Sequence, residues 1–216
     1  MRIVFCLPGN TFSDNFLKSW TELLMYLPKY GITPILSSSY NSVVYYVRNQ
    51  CLGGSVLAGK NQHPFNGQNY DYIMWIDSDM VFTVDDFIGL LNMNKDIASG
   101  LYKMEGSKYY ATVEKWDKEF YLKNGSFEFL TEKKIKSIKE PLSVDYTGFG
   151  WILIKKGVFE SLEYPWFRPV WENFGNDVLE FTSEDVGFCK NIKEKGFNIY
   201  VNTNIIVGHE KTKILR

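Results

Sequence analysis

Tyr72-Ile73-Met74-Trp75-Ile76-Asp77-Ser78-Asp79-Met80-Val81-Phe82 is an apolar run without helical period, broken near its far end by two carboxylates. A continuous apolar run of this length reads as a strand buried on both faces, the kind found in mostly parallel sheets. An acid at the end of such a strand asks for a chemical reason. Asp77 and Asp79 stand two residues apart, so on an extended backbone both project to one side. Held that close they repel, and a divalent cation relieves the repulsion. Oxygen ligands favour a hard ion such as Mg²⁺ or Mn²⁺. In open α/β sheets ligands bind beyond the carboxyl ends of the strands, where this pair sits. The alternative is that the two acids cap a turn before the next helix.

Working outward, the segments on either side alternate between strand and helix. Ile3 to Leu7 read as a first strand, closed by Pro8-Gly9-Asn10. Ser13 is an N-cap for a helix carrying Phe16, Trp20, Leu23, Leu24 and Leu27, and Gly31 stops it. Ile32 to Ser37 form a second strand. A helix from Ser42 to Leu52 follows, with Val43, Val44, Val47 and Cys51 inward. Beyond the opening stretch, Thr83 caps a helix with Phe87, Leu90 and Leu91, and Asp96 to Leu101 make another strand. Residues 1–101 therefore predict a doubly wound, mostly parallel sheet.

The second half changes character. Tyr109 to Val113, Glu119 to Leu122 and Phe127 to Leu130 read as short strands, the last two joined by a Lys123-Asn124-Gly125-Ser126 hairpin turn. Thr131 to Lys139 is a charged helix or loop, and Gly157 to Leu162 a short helix. Tyr164 to Phe181 is aromatic and irregular, open to reading as an acceptor platform, a lid or a packed edge. Between them, Gly148 and Gly150 in Val144 to Ile154 let backbone approach something closely. Ser183 caps a last helix through Lys195, ended by Gly196. Asn198 to Asn202 and Ile205 to Val207 are two final strands leading to Gly208-His209.

Composition bounds the function. The 216 residues are 45% hydrophobic and 17% aromatic, enough for a large core, and net charge is −1. Bulk electrostatic capture of nucleic acid is thereby disfavoured. Cys6, Cys51 and Cys189 are odd in number and widely spaced, which indicates buried thiols and no zinc or disulfide framework. No signal peptide or membrane span is read in the sequence, so the expectation is a soluble, cytoplasmic protein able to visit a membrane surface.

Four further groups carry chemistry. Arg48, on the second helix, is either a snorkelling surface residue or a fork of donors for a phosphate or base carbonyl. Glu184 and Asp185 open the last helix, where Thr182-x-x-Asp185 resembles a capping box; the alternative is an ionised carboxylate acting as general base. His209 is one of two histidines. It joins the acidic pair only if their strand ends meet.

Together, WIDSDMVF (75–82), VDYTGFGWILI (144–154), TSEDVGFCKNIKEKGF (182–197) and IIVGHE (205–210) resemble a glycosyltransferase of the GT-A fold. Their order is similar to that of inverting, metal-dependent transferases, including family 2 enzymes and the β-1,4-galactosyltransferases. The resemblance covers roughly residues 1–210. It implies one GT-A domain, with residues 1–101 holding the nucleotide sugar and 102–216 the acceptor and catalytic groups. It implies a hexosyltransferase-type reaction from a nucleotide-diphosphate sugar, UDP favoured, to a glycan, lipid-linked or other hydroxyl acceptor. Asp79 and His209 would bind Mn²⁺ or Mg²⁺, with Asp77 sharing the metal or contacting the ribose. Leu7, Pro8, Gly9, Arg48 and Ser78 would contact the nucleotide. Thr147, Gly148, Phe149 and Trp151 would lie against donor sugar and acceptor. Asp185 would be the base, and Glu184 would position the acceptor hydroxyl. A nucleotidyltransferase and a non-catalytic nucleotide-sugar-binding module are the alternatives; the loop LPGNTFSDNF lacks the former's basic, glycine-repeated opening.

Overall fold

The computed structural model describes residues 1–138 and 141–212. Its first elements are β1 (Arg2–Pro8), α1 (Asp14–Tyr26), β2 (Thr33–Ser39), α2 (Val44–Cys51), β3 (Tyr72–Ile76), β4 (Met80–Val81), α3 (Val84–Asn92) and β5 (Ile97–Leu101). Next come β6 (Tyr109–Val113), α4 (Lys118–Asn124), β7 (Phe129–Thr131), α5 (Glu132–Ile135), β8 (Leu142–Val144), β9 (Tyr146–Thr147) and β10 (Trp151–Lys155). The chain closes with β11 (Trp171–Gly175), β12 (Val178–Phe181), α6 (Glu184–Glu194), β13 (Ile199–Ile206) and β14 (Gly208–His209).

Seven strands form the central sheet in the order β2-β1-β3-β10-β5-β13-β8. The pairs of β1 with β2 and β3, and of β5 with β13, are parallel. Antiparallel β10 lies between β3 and β5, and antiparallel β8 closes one edge beside β13. The fold is thus the mostly parallel α/β sheet that the apolar run implied. Side-chain alternation along β3 shows why that run is continuous: Ile73 and Trp75 enter one core, while Met74 and Ile76 enter the other. Both faces of the sheet are covered, so neither register of the strand can be polar.

Local chemistry sets the helices. The Ser13 hydroxyl accepts from Phe16 N at 3.0 Å to start α1. Thr83 and Asp86 form a reciprocal capping box at α3, with bonds of 2.9 and 3.2 Å. Gly31 takes a left-handed conformation, φ 64°, after the helical turn that follows α1.

Several expectations are corrected. The supposed hairpin at 119–130 is largely α4, because Asp117 caps its N-terminus and Gly125, at φ 65°, caps its C-terminus. Lys-Asn-Gly-Ser therefore ends a helix; only β7 remains as strand. The irregular aromatic segment contains a β11–β12 hairpin, while Trp166 and Phe167 are core residues. The two final strands are one, β13, whose pairing with β5 shifts register between Val201 and Ile206. Val43 and Val44 are exposed at 37% and 43%, whereas Val47 and Cys51 are buried as expected. Of the charged segment through Lys139, the last residue lies outside the described residues. All three cysteines are buried and free.

Candidate active site

Arg48 is the hub. Only 4% exposed, it enters from α2 and lies 5.5 Å from the Trp75 ring and 5.3 Å from Phe149. Its Nε donates to Glu184 Oε1 at 3.1 Å, and its Nη2 reaches the Asp77 carboxylate at 3.2–3.3 Å. Burial pulls the guanidinium pKa down, but Asp77 and Glu184 outweigh that and hold it up. The snorkelling reading fails: α2 turns this face inward between two carboxylates. Its Nη1 is buried with no hydrogen-bond partner among the described residues, and Arg48 lines a cleft of about 260 Å³. An unpartnered buried donor is costly, so this nitrogen fits a ligand oxygen entering the cleft.

Asp77 directly follows β3 and Asp79 lies in the turn after it, so the two acids are not consecutive same-side residues of an extended strand. Asp77 faces Arg48. Asp79 faces the C-terminal segment, because β14 pairs antiparallel with β4 and sets His209 opposite Met80. Mutual repulsion is therefore answered by separate cations. His209 Nε2 is 3.2 Å from Asp79 Oδ2, and Lys211 Nζ donates to the same oxygen at 2.6 Å. Burial raises the Asp79 pKa, but the bonds from His209 and Lys211 overcome it and leave it at about 2. The bond to Asp79 raises the His209 pKa. Glu210 fixes the same tail: it accepts from the Ser13 hydroxyl and from Asn15 Nδ2 at the start of α1.

At α6, Glu184 is 5% exposed and turned toward Arg48. The group it orients in this structure is the guanidinium. Burial first, then Asp185, push the Glu184 pKa up against the pull of Arg48. Asp185 is half-buried. Its Oδ2 accepts from Tyr146 Oη at 2.9 Å, and its Oδ1 accepts from the Ser183 hydroxyl and from Val186 N at 2.8 Å. The capping box through Thr182 does not form, because that hydroxyl donates to Val170 O at 3.0 Å.

The cleft around Arg48 is also lined by Pro8, Gly9, Ser78, Asp77 and Asp79, but Leu7 packs into the core and is 4% exposed. Thr147 is fully buried, within 3.2 and 3.3 Å of the Ser99 and Thr112 hydroxyls. Phe149 and Trp151 are core side chains, so neither offers a side-chain face to ligand. A Cβ on Gly148 would fall 2.0 Å from Tyr102 Oη. That glycine admits the Tyr102 ring; what the backbone approaches here is protein. Sequence reading missed Lys211, Tyr146 and the Tyr40–Ser42 wall of the cleft. Lys211 had a signal, two residues beyond His209 in a segment leaving a strand. Tyr146 had none.

Among the described residues, no group of three or more His, Cys, Asp and Glu side chains is arranged to hold a metal. Asp79 and His209 fit as two ligands of an incomplete set. His209 Nδ1 lies 2.6 Å from Lys103 O, while Nε2 faces a carboxylate, so both ring nitrogens point at acceptors. The carbonyl would fix the tautomer that leaves Nε2 free to ligate a divalent cation, and the Asp79 oxygen beside it, which Lys211 also engages, would be the second donor. The remaining ligands would have to come from a bound diphosphate and water.

No protein-family model and no curated sequence matches the chain. Among solved structures, A197 from STIV is 18% identical with a TM-score of 0.59, covering 98% of this chain and 87% of that one. The catalytic domain of Drosophila beta1,4galactosyltransferase 7, solved with xylobiose, is 12% identical with a TM-score of 0.53, covering 98% and 71%. The inositol-1-phosphate CTP transferase from T. maritima reaches a TM-score of 0.47, too low to weigh. At these identities the likeness speaks to architecture alone: the chain has the GT-A glycosyltransferase fold.

Proposed function

We propose that the protein transfers a sugar from a nucleoside diphosphate sugar, UDP favoured, to a hydroxyl acceptor with inversion, aided by Mn²⁺ or Mg²⁺. One observation carries the reading. Arg48 joins Asp77 after β3 to Glu184 at the start of α6 by hydrogen bonds, so the cleft that holds this guanidinium adjoins the helix start that carries the separately held Asp185 carboxylate. The donor would occupy the 260 Å³ cleft, with Pro8 and Gly9 beside the nucleoside and Arg48 Nη1 donating to phosphate oxygen. Asp79 and His209 would hold the cation, which when bound supplies Lewis-acid neutralisation of charge on the departing diphosphate.

Asp185 then has the remaining task. A carboxylate offers about four acceptor positions, and Tyr146, Ser183 and Val186 N occupy three, leaving one for an acceptor hydroxyl. By accepting that proton as the oxygen attacks, Asp185 makes a single displacement, and a single displacement inverts the anomeric carbon. Asp185→Asn tests this. The variant should lose roughly 10²–10⁴-fold in transfer while keeping donor-dependent thermal stabilisation. Unchanged transfer refutes the base.

A further inference from the structure

A second cleft, sharing no lining residue with the Arg48 cleft, opens among the residues that hold Asp185. It is about 240 Å³, and its walls include Trp116, Phe127, Phe129, Tyr146 and Phe181. These rings are braced before any ligand arrives. Trp116 packs on Phe127 at 4.4 Å and on Tyr146 at 5.8 Å. Tyr121 stacks on Phe174 at 3.9 Å, fixing the β11–β12 hairpin against α4. Polar groups sit at the rim: the Ser183 hydroxyl, and Glu180, which accepts from Tyr121 Oη at 2.7 Å. Three of the lining residues, Tyr146, Ser183 and Val186, donate to the Asp185 carboxylate, the last through its backbone N–H. The apolar cleft and the open acceptor position of Asp185 are thus joined through shared side chains.

Apolar ring walls with a polar rim match a pyranose, whose C–H faces are apolar and whose edge carries hydroxyls. The volume lies below the roughly 300–1,000 Å³ of sites for drug-sized ligands, which suits one ring. Beyond it, Phe181 is 55% exposed and Trp171, 4.9 Å from it, is 72% exposed. This leaves an aromatic ledge leading away from the cleft.

We infer that the Trp116–Phe181 cleft binds the terminal sugar ring of a carbohydrate acceptor, and that the Trp171 ledge carries the ring behind it. The orientation of the reacting hydroxyl rests on the role proposed for Asp185; the binding of the ring does not.

The test is saturation-transfer NMR on the full chain, without donor or metal, using methyl glycosides of glucose, galactose, mannose and N-acetylglucosamine and the disaccharides lactose and cellobiose. At least one glycoside should receive saturation at its ring C–H protons. Phe181→Ser, at a position 55% exposed, should weaken that binding about tenfold. Trp171→Ala should weaken disaccharides and leave monosaccharide glycosides unchanged. The inference is overturned if no panel member binds, if Phe181→Ser has no effect, or if 4-methylphenol binds where glycosides do not, since a phenolic acceptor is then indicated. Donor-dependent stabilisation with no glycoside signal sinks this inference alone. A glycoside signal with unimpaired transfer by Asp185→Asn sinks only the base.

Discussion

Replacing Arg48 by Met keeps a long side chain among Trp75, Phe149 and Phe167 but removes the charge that Asp77 and Glu184 face. The Arg48 and Glu184 side chains are 5% and 7% exposed, so the abandoned carboxylate has little water to turn to. Breaking a buried pair by deleting one partner costs about 3–5 kcal/mol. For a chain of this size that is a melting-temperature loss of about 6–20 °C, at about 2–4 °C per kcal/mol. The loss should also depend on pH, with a definite sign. The folded Glu184 pKa is already raised by burial and Asp185 against the pull of Arg48, and removing Arg48 raises it further. A carboxyl with its folded pKa above the unfolded value destabilises once pH exceeds the unfolded value, and does so fully above the folded one. The Arg48→Met deficit should therefore be largest at neutral pH and shrink on acidification through the carboxylate range. Urea unfolding at several pH values, for wild type, Arg48→Met and Arg48→Met/Glu184→Gln, measures it. The double variant should recover much of the loss at pH 7. A deficit independent of pH, together with no recovery in the double variant, would refute the buried-pair account.

Further outcomes follow from the same geometry. A Cβ on Gly187 would lie 2.2 Å from Arg168 O, so Gly187→Ala should lower the urea midpoint despite the roughly 1 kcal/mol that alanine favours a helix. Gly89→Ala should cost less, because its Cβ meets only the Ile205 Cδ1 end at 2.8 Å; equal losses would argue against backbone contact as the cause. Lys211 shares Asp79 Oδ2 with His209, so Lys211→Ala should tighten Mn²⁺ binding in a calorimetric titration, and Asp79→Ala should abolish it. Binding that survives Asp79→Ala would remove the metal from that position.

Within the chain itself, the apolar run from Tyr72 sufficed for a strand buried on both faces, because period-two side chains that are all apolar leave no face for water. Ser13, Thr83 and Gly31 were legible as helix ends, since a cap needs only atoms a few residues away. The same local logic misled at Lys123–Ser126, where the cap at Asp117 and the Tyr121–Phe174 stack favour a helix over a hairpin. Arg48 was the clearest case of missing information. Its own helix left open whether it was solvated, and Glu184, 136 residues away, decides that it is not.

Sequence alone determined the strand and helix order of residues 1–101, much of the core and the residue types able to bind a cation or accept a proton, since these depend on near neighbours and periodicity. Tertiary structure decided which of those types meet. The β14–β4 pairing brought His209 and Lys211 to Asp79, α2 and α6 closed on one guanidinium, and Gly148 proved to admit Tyr102. Long-range pairing follows from how both cores fill at once, and no local segment encodes that alone.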